Sequence, residues 1–189
     1  ETLFKTSIDA LKAENTKLRE DVQSLNAEVS NLKGDLNNMK SDINKNNQYS
    51  RKDQLIVHGI NDTNERNEDC IKAVSTKLST IMPNTIVTED DIDVAHRIKG
   101  KNGKPRPIIV RFRSRKLRDH LIQTRKSLKS TGVSLHESLS PLNKNLLWRL
   151  KQATNVKDAW AYNGKIWAIG HISDQRKQVD ITDDISSLF

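Results

Sequence analysis

Basic side chains are concentrated in one stretch of the 189-residue sequence, and the chemistry they offer is the binding of anions. Residues 96–130 contain 13 Lys and Arg and 1 acidic residue, a net charge of +12. Residues 61–95 contain 3 basic and 8 acidic residues, a net charge of −5. A local positive excess within a folded region is typical of a polyanion-binding surface, and a merely solvated basic face is the alternative. Because the excess is local, we favour nucleic acid as the partner.

The residues that would carry this binding lie in a Gly-containing basic loop, KGKNGKPR at 99–106, and beside it. Lys and Arg there would neutralise phosphates, which makes binding depend on salt more than on base sequence. On charge alone, the candidates are Arg97, Lys99, Lys101, Lys104, Arg106, Arg111 and Arg113.

The sequence gives no pattern for catalysis or for metal binding. The histidines at 58, 96, 120, 136 and 171 lack the spacing of metal ligands. Gly100 and Gly103 belong to the lysine-rich loop, and the carboxylates at 89–93 lack the further spacing of a calcium loop and indicate a turn. We therefore expect no enzymatic activity, no catalytic or metal-binding residues and no cofactor.

The cellular setting is also limited by composition. Cys70 is the single cysteine, so we expect it to be a buried packing residue. No stretch reaches the ~18 apolar residues of a membrane span, so we expect no membrane partner. We expect a cytoplasmic location, with the nucleus as the alternative. Because no capping signal precedes the first helix, we expect the sequence to be a fragment of a longer protein.

The elements that must position the basic residues begin with a heptad repeat over residues 4–43. Positions four and three apart form an a/d seam in which eleven of twelve residues are apolar, the pattern of a coiled coil. One helix packing on its own domain is the alternative. The seam residues that we expect to mediate oligomerisation are Leu11, Asn15, Leu18, Val22, Leu25, Val29, Leu32, Leu36 and Met39.

The charges beside the seam predict how the helices pair. In a parallel pair in register, acidic g positions meet basic e positions of the other chain: Glu14 meets Arg19, and Glu28 meets Lys33. Leu at d, with Val or Ile at several a positions and Asn15 at one, favours a parallel dimer. A trimer stays open, because Leu36 at a and Met39 at d do not discriminate.

Residues 54–137 alternate between strand and helix patterns. Strands are predicted at 54–60, 92–98, 107–112 and 133–137, and helices from 67 or 69 to about 82 and over 114–129. The resulting order, β-α-β-β-α-β, is that of ferredoxin-like domains and of RNA-recognition motifs (RRMs). Phe112 is expected in the core with Ile108 and Val110, so base stacking on this sheet is weak or missing. In the second helix we expect Leu117, His120, Leu121, Thr124 and Leu128 inward, and Arg115, Lys116, Arg118, Arg125 and Lys126 outward.

Residues 138–189 predict a small C-terminal domain. Ser140 and Pro141 begin a helix, and Asn163-Gly164 form the turn of a hairpin over 157–169. This turn pairs Tyr162 with Lys165, and Trp160 with Trp167. The tryptophans are expected in a small core, with base stacking as the alternative, and Tyr162 fits either role.

Three stretches, RKDQLIVHGI (51–60), AHRIKGKNGKPRPIIVRF (95–112) and SLSPLNKNLLWRL (138–150) with the hairpin after it, resemble the first open-reading-frame protein of LINE-type retrotransposons, a transposase-22-like RNA-binding family. The layout is also similar to the related baculovirus few-polyhedra family. The resemblance covers the whole chain and implies single-stranded RNA binding with nucleic-acid chaperone activity in a ribonucleoprotein particle. It adds Arg51, Arg149 and Tyr162 to the binding residues. Vertebrate members of the LINE-type family are trimers, whereas the a/d seam of this sequence favours a dimer.

The sequence thus predicts an α+β protein with a coiled-coil rod at 1–48, a hinge at 49–53, an RRM-like domain at 54–137 and a small α/β nucleic-acid-binding domain at 138–189. We expect an oligomeric protein that binds single-stranded RNA, with DNA as a further ligand. A coiled-coil scaffold or viral structural protein that binds an acidic protein partner is the alternative.

Overall fold

The computed structural model describes residues 2–65, 67–82, 84–100, 103–172 and 175–188. The protein is mixed α+β, as predicted, with antiparallel sheets. The chain divides into two compact units, Glu1–Ile43 and Asn44–Phe189. The described helices are α1 (Thr2–Tyr49), α2 (Cys70–Ile81), α3 (Arg115–Thr124) and α4 (Pro141–Gln152). The described strands are β1 (Gln54–His58), β2 (Ile92–Arg97), β3 (Ile108–Phe112), β4 (Ser134–Glu137), β5 (Val156–Tyr162), β6 (Lys165–Gly170) and β7 (Arg176–Val179).

The first unit is formed by the helix α1, which is continuous through the predicted heptads. Its apolar seam side chains are 46–80 % exposed, from Val29 at the low end to Phe4 at the high end. An added Cβ on Gly34 would meet nothing within 4 Å. Glycine at this position therefore destabilises the helix only through its low helix propensity, by about 1 kcal/mol. The helix therefore presents a long apolar stripe that is exposed in the single chain.

The second unit begins with the last turns of α1 and contains a four-stranded sheet in the order β2-β3-β1-β4. Every pairing in this sheet is antiparallel. Strand residues alternate between faces, so Leu55 and Val57 of β1 and Val110 of β3 point to one side and are at most 1 % exposed. Val74 of α2 and Leu121 of α3 are fully buried in the same core. The predicted core position of Phe112 is confirmed, as is the burial of Cys70.

Helix α3 departs from the sequence prediction in its length and in its buried face. It ends at Thr124, and a 3-10 turn, Arg125–Leu128, follows. Arg118, predicted to point outward, has a side chain only 4 % exposed, and His120, predicted to point inward, is exposed. The reason is helix geometry: Arg118 precedes the buried Leu121 by three positions and the buried Ile122 by four, so the three share one face.

The C-terminal part of the second unit is a three-stranded antiparallel sheet, β5-β6-β7, against which α4 packs. The Asn163-Gly164 turn has positive φ at both residues, 50° and 73°, as a type I′ hairpin turn requires. The predicted pairs, Trp160 with Trp167 and Tyr162 with Lys165, are confirmed. The strand β7 was not predicted, because only Val179 of its four residues is buried.

A buried polar cluster, named here the polar junction, joins the end of α1 to the start of α4. Gln48 Nε2 donates to the Ser138 carbonyl at 2.9 Å, and Gln48 Oε1 accepts from the Ser140 amide at 2.8 Å. Asn44 Nδ2 donates to Asn143 Oδ1 at 2.7 Å, and the Ser140 hydroxyl donates to Asn44 Oδ1 at 2.6 Å. Asn143 Nδ2 lies 3.2 Å from Gln48 Oε1 and 3.1 Å from the Gly164 carbonyl, to both of which it donates.

The carboxylate of Glu137, at the end of β4, holds the hairpin turn beside the polar junction. Its two oxygens accept from the backbone N–H groups of Asn163 at 2.8 Å and Gly164 at 2.7 Å. A Cβ on Gly164 would lie 3.0 Å from Gln48 Cγ, so this glycine is required both by its φ and by the close approach of Gln48. The two sheets are therefore connected through paired polar groups as well as through the chain.

We expect Asn143→Ala to lower the free energy of unfolding by about 1–3 kcal/mol, because it leaves Asn44 Nδ2 and the Gly164 carbonyl without a partner and removes one of the two donors to Gln48 Oε1. Urea unfolding followed by tryptophan fluorescence measures this loss. Asn145→Ala, at an exposed position of the same helix, is the control and should change stability by less than about 0.5 kcal/mol. Equal effects of the two substitutions would show that the polar junction adds nothing to stability.

Candidate nucleic-acid interface

The loop between β2 and β3 presents two of the predicted lysines to solvent. Lys99 and Lys104 are exposed, whereas the predicted residue Lys101 lies outside the described residues. Together with Asn61, Asp62 and Arg106, these two lysines line an open groove. This groove holds more positive than negative charge and is wide open to solvent, as contact with a polymer requires.

Arg106 lines this groove and also makes an ion pair that stabilises the fold. Its Nε and Nη2 donate to the two carboxylate oxygens of Asp62 at 2.7 and 3.0 Å, while its side chain stays 42 % exposed. The hydrogen bond from Arg106 holds the pKa of the Asp62 carboxyl well below its ordinary value. Arg106 can therefore meet an anion only with the part of its guanidinium that Asp62 leaves uncovered.

Arg97 lies below the groove, with a side chain only 5 % exposed. Its guanidinium donates to both oxygens of Glu68, at 2.8 and 2.6 Å, and to the carbonyl oxygens of Ile60, Asn61 and Arg106. The hydrogen bond from Arg97 lowers the pKa of Glu68, although burial opposes the shift. This guanidinium is fully occupied inside the protein, so it positions the loop rather than offering a surface charge.

A second group of cations lies where β3 ends and β1 begins. Arg111 and Arg113 are exposed, and Arg111 Nη1 is 3.9 Å from Asp93 Oδ2, an exposed pair worth at most about 1 kcal/mol. Arg51, partly buried, donates from Nη1 to the Ser138 hydroxyl at 3.3 Å. Two of the three predicted arginines in this group are therefore open to a ligand.

Sequence reasoning missed an aromatic residue in the same group. Tyr49 is 54 % exposed, with Lys52 Nζ 4.9 Å and Arg115 Cζ 5.1 Å from its ring centroid. A hydrogen bond from Arg115 lowers the pKa of the Tyr49 hydroxyl, and the charges of Arg115 and Lys52 add to the effect. An exposed ring between two cations suits base stacking combined with phosphate contact. The only signal in the sequence was the position of Tyr49 just before Arg51 and Lys52.

The C-terminal candidates lie on α4 and on the hairpin. Arg149 is exposed and lines an open groove with Trp148 and Asp184, and Tyr162 is 57 % exposed at the end of β5. Trp148 is 63 % exposed. The other two tryptophans, Trp160 and Trp167, are partly buried.

Comparisons with known proteins do not identify the chain: no family profile matches the sequence, and no curated protein matches it significantly. The resemblance to the LINE-type proteins therefore stays a prediction. Within the described residues, no group of three or more His, Cys, Asp or Glu side chains could hold a metal ion. No helix in the described part of the chain has the length and apolar composition needed to cross a membrane.

The buried pair of Arg97 and Glu68 yields a stability prediction. We expect Glu68→Ala to lower the free energy of unfolding by about 3 kcal/mol, because it removes the carboxylate hydrogen-bonded to the buried Arg97 and leaves only Asp62, 4.0 Å from Arg97 Nε, to balance that charge. Urea unfolding measures this loss. The control is Glu65→Ala, an exposed carboxylate of the same loop, which should cost less than about 0.5 kcal/mol. A loss of stability no larger than that of the control would mean that Arg97 is solvated in solution.

Proposed function

We propose that the protein is an oligomeric, largely sequence-independent binder of single-stranded RNA that packages retrotransposon RNA into ribonucleoprotein particles and acts as a nucleic-acid chaperone. The observation that carries this proposal is the exposed set of cations on loops and strand ends, beside the exposed aromatic rings of Tyr49, Trp148 and Tyr162. Lysines and arginines would hold the phosphates, and the rings would stack on bases of any sequence.

The fold supports this proposal through the arrangement of its four-stranded sheet. The order β-α-β-β-α-β with the strand order β2-β3-β1-β4 is what an RRM-like domain requires. Both helices of such a domain cover one face of the sheet and leave the other open. The outward residues of β3 are Ile109 and Arg111, so this strand carries no outward stacking aromatic, and charge must provide most of the affinity.

The helix α1 supports the oligomeric part of the proposal. A stripe of apolar side chains 46–80 % exposed over eleven turns would be covered by the same stripe of a second copy. We propose a parallel dimer, with a trimer as the alternative. Two or three weak RNA sites on one rod would then act together, because the second contact is intramolecular once the first is made.

Salt dependence tests the binding mode. We expect the affinity for a single-stranded oligouridine to fall steeply between about 50 and 200 mM salt, because counterions are released from each neutralised phosphate. Replacing Lys99, Lys104, Arg111 and Arg113 by Gln should reduce the slope of log K against log salt by up to about 3, at about 0.7 per phosphate. Fluorescence anisotropy of a labelled strand measures both quantities.

The matched control for this test is Lys72→Gln with Lys77→Gln on α2, within the acidic stretch of the sequence, which should leave the slope unchanged. RNA affinity that does not respond to salt would refute the proposal. Retention of polyglutamate but not of RNA would instead favour the alternative function, a scaffold that binds an acidic protein.

The oligomeric state is tested at the seam of α1. We expect Leu18→Glu with Leu25→Glu to convert the protein to single chains and to weaken RNA binding by about a hundredfold through loss of avidity. Sedimentation equilibrium measures the mass, and the parent mass decides between two strands and three. Ser24→Glu, a helix position away from the seam, is the control and should leave the mass unchanged. A parent protein that sediments as one chain would exclude the coiled coil.

A further inference from the structure

Two histidines lie side by side on the outward face of the four-stranded sheet, where β1 and β4 pair. The rings of His58 and His136 meet edge to face, with centroids 5.1 Å apart, and both residues are exposed. In the register of the two strands, His58 faces Ser134, and His136 faces Ile56. Ser134 Oγ lies 3.2 Å from His136 Nε2. The Nδ1 atom of His136 and the ring of His58 are therefore left for a ligand. Neither histidine belongs to the basic groups of the loop, the strand ends or the C-terminal groove.

The charges around these rings are all positive. Although both residues are exposed overall, partial desolvation of the ring lowers the pKa of His58, and Lys144 of α4 lowers it further. Partial desolvation also lowers the pKa of His136, and the neighbouring His58, Arg125 and Lys151 add to the effect. The permanently charged groups acting on the two rings are therefore cations, contributed by α4 and by the 3-10 turn after α3.

Carboxylates are absent from the elements that surround the pair. The described residues of α4 and of the 3-10 turn Arg125–Leu128 include no Asp or Glu, and the same holds for β1. The carboxylate of β4 is Glu137, which is buried and accepts from the hairpin turn. Within the described residues, Lys144 and Lys151 also make no ion pair with a carboxylate. Cations that gather without a counter-charge, around groups that can still gain a proton, fit an anionic ligand.

We propose that His58 and His136, together with Lys144 and Lys151, form a second contact surface for the phosphates of the single-stranded nucleic acid. This inference rests on the proposed RNA binding and assigns to it a site outside the basic loop. The pair has imidazole N–H groups to donate, and a protonated imidazole donates a charge-assisted hydrogen bond to a phosphate oxygen. Phosphate would thus replace the missing counter-charge.

Such a surface couples RNA binding to proton uptake. In the free protein the two rings are mainly neutral at neutral pH, because their pKa values lie below the ordinary value of about 6.5. A bound phosphate raises these pKa values, so affinity increases as the pH falls below the pKa of the complex, and the gain ends below the pKa of the free protein. Each unit by which binding raises the pKa of one histidine is worth about tenfold in affinity.

The stability of the free protein should follow the opposite trend. Because the folded state lowers these pKa values, the unfolded chain binds more protons below about pH 6.5, so the free energy of unfolding falls as the pH falls through that range. Stronger RNA binding on acidification therefore cannot be attributed to a more stable fold.

The test compares the affinity of the full chain for labelled oligouridine at about pH 8 and about pH 5.5, at constant ionic strength. Uracil does not gain a proton in this range, so changes in affinity report on the protein. We expect the parent to bind about tenfold tighter at the lower pH, and His58→Gln with His136→Gln to lose most of that gain. Lys144→Gln with Lys151→Gln should weaken binding at both values.

The matched control is His171→Gln, an exposed histidine beyond the end of β6, which should keep the full pH response. Histidine proton NMR gives a second measurement in the parent itself, where the pKa of His58 and His136 should rise on addition of oligouridine. A double variant with the same pH response as the parent, or pKa values unmoved by RNA, would overturn the inference. An equal pH response toward polyglutamate would also overturn its assignment to nucleic acid.

The outcomes separate this inference from the proposed function. If RNA binding depends on salt but not on pH, the proposed function is supported and the histidine site is refuted. If the protein binds no RNA at either pH, the proposed function and the histidine site are both refuted. Circular dichroism of the variants at each pH shows whether they are folded, and the NMR measurement decides the question if a variant is not.

Discussion

Side-chain amides fix the second unit where its two sheets meet, and the geometry of the candidate interface depends on them. Asn143 is bonded at once to Asn44, to Gln48 and to the carbonyl of the hairpin turn, so one side chain joins three parts of the chain. Apolar contacts would hold these parts together without fixing their orientation, because dispersion and burial are non-directional. Hydrogen bonds between buried groups impose distances and angles, and an error in any one leaves a costly unsatisfied partner.

Charged residues around the basic loop have two roles: some form ion pairs that hold the loop, and others are exposed to solvent. Asp62 and Glu68 of the acidic stretch are engaged by Arg106 and Arg97, and they hold the loop that carries Lys99 and Lys104. These two acidic residues are therefore part of the support of the basic loop rather than a separate feature. The net positive charge that remains exposed is smaller than the sequence count suggests, since Arg97 and Arg118 are buried. What remains lies on exposed loops and strand ends, where a flexible strand could reach it.

Sequence reasoning succeeded where a periodic pattern depends on local geometry. The helix through the heptads, the alternating strand β3 and the Asn-Gly hairpin follow from periods of 3.5 and 2 and from one turn type, so they could be predicted. Sequence reasoning failed where contacts between residues distant in the sequence determine the structure. Strand β7 is polar at three of four positions and exists because β6 offers it a partner edge. Arg118 is buried because it shares a helix face with the core residues Leu121 and Ile122, and Arg97 is buried beside a carboxylate 29 positions away. The number of helices in the proposed oligomer would depend on small differences in packing, which neither the seam nor the resemblance fixes.

In the proposed function, the two units contribute to binding in different ways. A surface of exposed cations and isolated rings would hold a single strand weakly, because each contact is screened by salt and competes with bound counterions. Weak contacts exchange quickly, as a chaperone that rearranges RNA would need, but they do not keep one chain on one strand. A helix with 46–80 % exposed apolar seam side chains is a poor end state for a single chain, and the proposed pairing would let the binding surfaces of the copies act on one strand. The protein would then stay on the RNA because it has several binding surfaces, and it would exchange between strands because each surface binds weakly. A tighter individual surface would therefore improve RNA binding but slow the rearrangement of the RNA.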